Sequence, residues 1–342
     1  MRCSVVILNW NGEETLKQFL PIVLQHTQMP DVEVVVADNG STDGSLTYLQ
    51  SQPVRLIALD KNYGFAEGYN RAIAQIDAEY VVLLNSDIET TGHWLEPMLE
   101  YMEQHPTVCA AQPKILSWHS KQEFDAGKTD AIRFEHAGAA GGMMDILGYP
   151  YCQGRLMSYL EEDKGQYNKV TPIFWATGAC MLVCTRIYKE LGGLDGAFFA
   201  HQEEIDFCWR LHNHQLAKCD SPAIVYIPQS TVYHIGGATL GYENPRKTFL
   251  NFRNNLLMLH KNIPQARLGW IMVIRFFMDY LAAMQMLLTG QRPNAKAVYE
   301  ARKAYHKMKR SYPKTKIAPR NAGALLARRS IVLDYYLLRK KK

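Results

Sequence analysis

The sequence predicts an α/β protein, a Rossmann-like and mostly parallel sheet followed by a helical, basic C-terminal extension. Three observations carry this. Short β-branched apolar runs alternate with helical-period segments through the first 90 residues, and each of these runs ends in polar residues. Residues 291–342 then hold sixteen Lys and Arg against only two acids, Glu300 and Asp334. The net charge of +5 over 342 residues therefore hides two regions with different partners. With 47% hydrophobic and 21% charged residues, the chain has the composition of a folded globular protein with a sizeable core.

The run "CSVVILNW" predicts a first strand. "EETLKQFLPIVLQHT" then sets Leu16, Phe19, Leu20, Val23 and Leu24 at helical spacing, and "VEVVVADN" predicts the second strand. "SLTYLQSQ" and "FAEGYNRAIAQI" read as helices, "VRLIAL" and "YVVLLN" as strands. Strands covered on both faces show such continuous apolar runs. Residues 116–169, rich in Gly, Tyr and charge, show no sustained period and read as irregular, with loops over a site. From Thr171 order returns: "TPIFWATGACMLVCTRIYKELGG" predicts a strand and short helix, "LDGAFFAHQEEIDFCWRLHNHQ" a loop entering a helix, and "AIVYIPQSTVYHIGG" a further strand and loop.

Several function classes are excluded. "NWNGEE" after the first strand lacks the GxGxxG of a dinucleotide site, and GxxxxGK[ST] occurs nowhere. The seven scattered cysteines contain no CxxC pair, so neither a zinc site nor a disulfide framework is expected, and a reducing compartment fits. The apolar run in "MRCSVVILNWNG" is too short for a signal peptide or a span, so a cytoplasmic start is expected. "HNH" at His212 to His214 lacks the other elements of a nuclease, and no nucleic-acid reading motif accompanies the basic tail.

Ligands of open α/β sheets bind beyond the carboxyl ends of the strands. Four polar strand ends converge there: Asn9 to Gly12 with Asn11, Ala37 to Ser45 with Asp38, Asp60 to Asn70 with Asn62, and Asn85-Ser86-Asp87 leading to Glu89. They predict a nucleotide site built from side-chain carboxylates and amides. Asp38 can accept hydrogen bonds from a base or ribose. Asp87 is either a ligand for Mg2+ or Mn2+ bridging two phosphates or an N-cap of the helix in "TTGHWLEPMLEYMEQH". Glu203 and Glu204, in a helix's first turn, are either a pair favoured by the helix dipole or a general base for an incoming hydroxyl. Asp206 and Arg210, four apart, read as a surface ion pair. His234, before Gly236 and Gly237, is either a structural histidine or a metal ligand.

With "VVILNWNG", "VVVADNGSTDGS", "NYGFAEGYNRAI", "VVLLNSDIE", "ATGACMLV" and "GGLDGAFFAHQEEIDFCWRL" in this order, the chain resembles the inverting glycosyltransferases of family 2. The likeness runs from Val5 to about Lys261, is nearest the bacterial rhamnosyltransferase-like members, and implies the GT-A fold. It implies that Asp38 contacts the nucleobase, that Asn62 and Asn70 line the nucleotide pocket, and that Gly178 lies near the sugar. It further implies that Asp87 is the metal-binding last position of the Asp-x-Asp element, that Glu204 is the base, and that His234 ligates metal. Two positions depart from the family pattern: Asp-x-Asp reads Asn85-Ser86-Asp87, and the Glu-Asp pair reads Glu203-Glu204. A sugar-nucleotide pyrophosphorylase and a sugar-nucleotide-binding protein with a degenerate site are the rival readings.

The expected organisation is a catalytic domain over 1–245, its nucleotide half 1–115 and acceptor half 116–245, then a helical region over 246–342. In that region "RLGWIMVIRFFMDYLAAMQMLLTG" is the most hydrophobic long segment, interrupted by Arg275 and Asp279. Followed by so basic a tail, it predicts an in-plane helix on an anionic cytoplasmic membrane face, with a glycan or lipid-linked acceptor.

Overall fold

The computed structural model describes residues 1–219, 221–236, 244–312, 325–327 and 329–336. Gly237 and much of the basic tail (313–324, 328 and 337–342) lie outside the described residues. Strand β1 (Cys3–Asn9), helix α1 (Glu13–His26), β2 (Val32–Asp38), α2 (Ser45–Leu49), β3 (Arg55–Ala58), α3 (Gly64–Ala74) and β4 (Tyr80–Asn85) alternate as the sequence predicts. Next come β5 (Ile88–Thr90), α4 (Glu96–Gln104), β6 (Ala110–Ser117) and α5 (Trp118–Asp125). The main sheet runs β3-β2-β1-β4 in parallel.

Alternation within the strands divides the core. Val5, Ile7, Val36, Val82 and Leu84 pack with α1 and α4 on one face, whereas Val6, Val35, Val81 and Leu83 pack with α3 on the other. Each such side chain, fully buried, contributes about 1.5–3 kcal/mol. Register then aligns the strand ends: Asn9 sits opposite Asp38, and its neighbour Leu8 opposite Asn85.

The middle region is more ordered than its sequence suggests. Four short strands, β7 (Gly142–Met144), β8 (Pro150–Cys152), β9 (Arg155–Leu156) and β10 (Tyr159–Leu160), form a separate antiparallel sheet. Strands of two or three residues are too short to register a period of two. Then follow β11 (Thr171–Pro172), β12 (Cys180–Cys184), α6 (Thr185–Glu190), α7 (Glu203–Leu216) and β13 (Ile224–His234). The antiparallel β12 joins β4 to β6, and β13 lies beside β6, β5 and β11. All seven cysteines are free.

Four helices close the described chain: α8 (Pro245–Asn262), α9 (Gln265–Leu288), α10 (Arg292–Met308) and α11 (Ile331–Tyr336). On α9, Leu268, Ile271, Arg275, Asp279 and Ala283 form a buried stripe. The charged pair is thus inside: Arg275 donates to Asn255 Oδ1 (2.6 Å) and the Leu147 carbonyl (3.2 Å), and Asp279 accepts from Arg302 of α10 (2.5 Å). Asp145, fully buried between β7 and β8, accepts from the amides of Leu147 (2.9 Å), Tyr149 (2.8 Å) and Ile331 (3.0 Å).

Candidate active site

The edge of polar strand ends is a cradle of interlocked amides. Asn9 Nδ2 donates to Asp38 Oδ2 (2.9 Å), and the Ser41 amide donates to Asp38 Oδ1 (2.9 Å). Asn11 Oδ1 accepts from the Thr42 amide (2.7 Å), tying the first strand end to the second. Asn39, which the sequence reading passed over, joins the second to the third. It donates to Asn62 Oδ1 (3.2 Å) and the Gly64 carbonyl (3.1 Å) and accepts from the Tyr63 amide (3.0 Å). Ser86 comes close through Gly12, where a Cβ would stand 2.5 Å from Asn9 Oδ1 and 4.0 Å from Ser86 Oγ.

Asn70 is engaged elsewhere. It donates to the Leu194 carbonyl (2.7 Å) and accepts from the Leu194 amide (2.9 Å) and the Tyr188 hydroxyl (2.7 Å), pinning the loop before α7 to α3.

Asp87 lies between β4 and β5, and the next helix begins only at Glu96, so it is not the cap of that helix. Pairing of β13 with β5 sets His234 opposite Ile88 and brings its Nε2 to 3.1 Å from Asp87 Oδ1 and 3.4 Å from Asn85 Nδ2. On the other side His234 Nδ1 lies 3.2 Å from Glu135 Oε2. Glu135 was invisible in the irregular middle region; the only signal for it was an acid beside "HAGAAGG". It is buried and also accepts the Ala137 amide. Burial opposes charge on all three groups, yet Asp87 and Glu135 push the His234 imidazolium up to about 10, and His234 holds Glu135 down to about 2. Asp87 likewise stays below the ordinary carboxylate range against its burial, through His234.

A divalent ion fits the donor chemistry of this corner. A carboxylate oxygen converges there with an imidazole nitrogen that becomes a ligand once the ion displaces its proton, and Mg2+ and Mn2+ are commonly held by one or two protein ligands plus substrate phosphates. Among the described residues no group of three His, Cys, Asp or Glu forms a self-sufficient cage, so the remaining ligands have to come from a donor or water.

The third part is the entrance to α7. Phe199, His201 and Gln202 all have positive φ (66°, 69° and 72°), a conformation that non-glycine residues rarely adopt and that clusters at functional sites. The loop is braced from both sides. The Phe65 amide donates to the Phe199 carbonyl (2.8 Å), and Asn254 of α8 donates to the carbonyls of Phe198 (3.0 Å), Ala200 (2.9 Å) and His201 (2.8 Å). Asn255 adds a bond to Gln202 Oε1 (3.2 Å).

This brace delivers Glu203 and Glu204 into the interior in the first turn of α7. Each has a buried Oε2 without a hydrogen-bond partner. Burial pushes the Glu204 carboxyl up to about 7; burial and the neighbouring Glu204 push Glu203 well above its usual range. Gly178 faces the base candidate: a Cβ there would meet the Phe65 ring at 2.9 Å and stand 3.7 Å from Glu204 Cβ. The next residue, Ala179, accepts the Asn85 amide (2.9 Å), which links Glu204 to the end of β4.

Asp206 is not on the surface. It is fully buried and binds Arg210 (2.9 Å), Lys261 (2.8 Å) and Asn262 (2.8 Å). Spacing of four is the same for an exposed and a buried pair, so the sequence could not tell them apart. Burial opposes its charge, but Arg210 and Lys261 hold it below the usual range.

Residues 4–141 match the model of Glycosyl transferase family 2. An N-acetylglucosaminyl-diphospho-decaprenol L-rhamnosyltransferase of Mycobacterium tuberculosis is 25% identical over 282 residues, covering 78% of this chain and 87% of the relative. A low-salt glycan biosynthesis hexosyltransferase of Haloferax volcanii is 21% identical over 299 residues, covering 82% and 87%. Among solved structures, GalNAc-T7 with UDP, GalNAc and Mn2+ superposes with a TM-score of 0.57 at 15% identity, over 92% of this chain and 58% of that one. S. aureus TarS 1-349 in complex with UDP-GlcNAc gives 0.54 at 14% identity, over 91% and 84%. These likenesses establish the GT-A fold.

Proposed function

We propose that this chain, a glycosyltransferase of family 2, moves a sugar with inversion from a nucleoside diphosphate sugar to a hydroxyl of a glycan or lipid-linked acceptor. One observation carries the reading: Glu204 is half-buried, its Oε2 is buried and unpartnered, and its carboxyl is pushed up to about 7, the range in which a general base works at neutral pH. The relatives' names support the sugar chemistry, one naming a lipid diphosphate acceptor. The solved neighbours carry UDP-GlcNAc or Mn2+.

In this reading Asp38 receives the nucleobase, while Asn9, Asn11, Asn62, Asn85 and Ser86 shape the donor cradle. Asn70 acts at one remove, by fixing the loop that leads to α7. Asp87 and His234 hold a divalent ion, which supplies positive charge to the departing nucleoside diphosphate. Glu135 accepts from His234 Nδ1 and so directs Nε2 toward Asp87. Glu204 takes the proton of the acceptor hydroxyl as its oxygen attacks the anomeric carbon opposite the leaving group, so a single displacement inverts the centre. Glu204 raises Glu203 beside it, so Glu203 keeps its proton when Glu204 ionises and adds no second charge. Peripheral residence on the cytoplasmic membrane face belongs to the same proposal, supported by the exposed apolar face of α9.

The test is turnover of a nucleotide-sugar panel with Mn2+ and with EDTA, with the product's anomeric configuration read by NMR. Inverted product that disappears with EDTA is expected. Retained configuration, or full turnover in Glu204→Gln, overturns the mechanism.

A further inference from the structure

Helix α9 has two opposite stripes. Trp270, Val273, Phe277, Leu281, Met284 and Leu288 recur at spacings of three and four and are 42–82% exposed. The stripe behind them carries the buried Arg275 and Asp279. At 24 residues the helix is long and apolar enough to cross a membrane by length and composition. Crossing would strip Arg275 from Asn255 and the Leu147 carbonyl, and Asp279 from Arg302, and would place both charges in hydrocarbon. The helix is therefore fastened flat on the protein with its apolar stripe outward, the arrangement of an in-plane interfacial helix.

Beside that stripe runs a groove of about 860 Å³ between α9 and α10. Its floor is apolar, formed by Met272, Val273, Phe276 and Phe277, and its rim carries His260, Arg302, His306, Lys309 and Arg310. Among the described residues no carboxylate lines it. Arg302 is committed to Asp279, which leaves Lys309 and Arg310 as the rim cations outside any ion pair among the described residues. Lys309 stands 5.4 Å from the centre of the Tyr305 ring, at the mouth.

We propose that this groove seats the headgroup phosphate of an anionic phospholipid on Lys309 and Arg310, while the acyl chains run over Phe276 and Phe277 onto the outward stripe of α9. Charge decides the occupant. A twofold pair would set the same acid-free cationic groove against its own copy, whereas an anionic bilayer offers negative charge and hydrocarbon at the same depth. The inference rests on the peripheral-membrane reading and adds to it a specific headgroup site. It also places the lipid contact on α9 and α10, with His260 near the C-terminal end of α8 on its rim.

The test uses the full chain and sedimentation with phosphatidylglycerol–phosphatidylcholine vesicles or phosphatidylcholine vesicles, in 0.1 M and 1 M salt. Wild type should bind the anionic vesicles at low salt and weaken at high salt. Lys309→Ala with Arg310→Ala should weaken anionic-vesicle binding by about thirtyfold, the size expected for two basic residues at a membrane surface. Phe277→Asp with Leu281→Asp should abolish binding to either vesicle. Both variants should keep donor hydrolysis, so failure here leaves the glycosyl-transfer reading standing. Wild type that binds anionic vesicles while the Lys309 and Arg310 variant binds equally overturns the headgroup site alone. Wild type that binds no vesicle overturns the membrane reading with it. A concentration-dependent dimer in analytical ultracentrifugation, lost in the Phe277 and Leu281 variant, assigns the face to a second copy and overturns the proposal.

Discussion

The donor cradle and the entrance to α7 are built on opposite terms. In the cradle, Asn9, Asn11, Asp38, Asn39 and Asn62 hydrogen-bond one another or the loop amides beside them, on regular strand ends. At the α7 entrance, three non-glycine residues are left-handed and two buried carboxyls each keep an oxygen unpartnered. The first region is cross-linked before any ligand arrives, with Asn9 Oδ1 left as its one buried unpartnered oxygen among the described residues; the second holds two such oxygens, both on carboxyls, and strain that Asn254 and its neighbours on α8 contain. Binding geometry can be pre-set by satisfied groups, but a base has to keep an unmet appetite for a proton.

That contrast can be broken most directly at Glu204. Glu204→Gln is expected to lower turnover by about 10²-fold or more with nucleotide affinity unchanged, as when a positioned base is lost. Steady-state kinetics with calorimetry decide it, and a larger loss in Glu203→Gln moves the base to Glu203. Wild-type turnover should rise with pH through about 7, since the base acts ionised. The pH profile of Glu204→Gln should lack that limb.

Glu135→Ala extends the contrast to the metal corner. Loss of the group behind His234 should weaken Mn2+ binding about 10–100-fold in the presence of nucleoside diphosphate, the usual effect of removing a carboxylate behind a ligating histidine. Electron paramagnetic resonance of free Mn2+ reads this directly. Affinity equal to wild type leaves Glu135 a packing residue.

Asn254→Ala should cost about 2–3 kcal/mol, because three carbonyls lose one buried donor. Denaturant unfolding measures the stability, and turnover should fall while nucleotide affinity holds. Equal loss of both would dissolve the distinction between the two regions.

The smallest effect is a gain. A carboxyl whose folded pKa is raised keeps its proton in the folded state while the unfolded chain releases it, so stability falls as pH rises from the ordinary glutamate range toward the folded value. Glu203→Gln should therefore unfold at higher temperature than wild type at pH 8, with the difference shrinking at pH 4.

Most of the cradle was legible because Asn9, Asn11, Asp38 and Asn62 stand at or just beyond the ends of apolar strands, so a local pattern locates a shared edge; Asn39 was passed over although it adjoins Asp38. Glu203 and Glu204 were legible as two acids opening a helix, but the strain before them was not, since backbone φ at Phe199 and His201 leaves no trace in residue type. Glu135 and Asn254 were missed for a different reason. Their partners lie 99 residues away (His234) and 53–56 residues away (the loop carbonyls), separations that local spacing does not encode even for Asn254, which sits on the buried side of α8. Asp206 was misread because its burial depends on Lys261 and Asn262, contributed by α8.

Asp145 carries a consequence for synthesis. Its carboxylate closes the β7–β8 turn with Leu147 and Tyr149 but takes its third bond from Ile331, 186 residues further on. Arg275 reaches the same turn through the Leu147 carbonyl across 128 residues. A nascent chain that has released residues 1–117 already owns every strand of the parallel half-sheet, yet the turn stays unfastened until Arg275 and Ile331 have also left the ribosome. Folding order thus separates two regions in time: the edge of polar strand ends matures early, and the β7–β8 sheet is latched only after α9 and Ile331 have emerged.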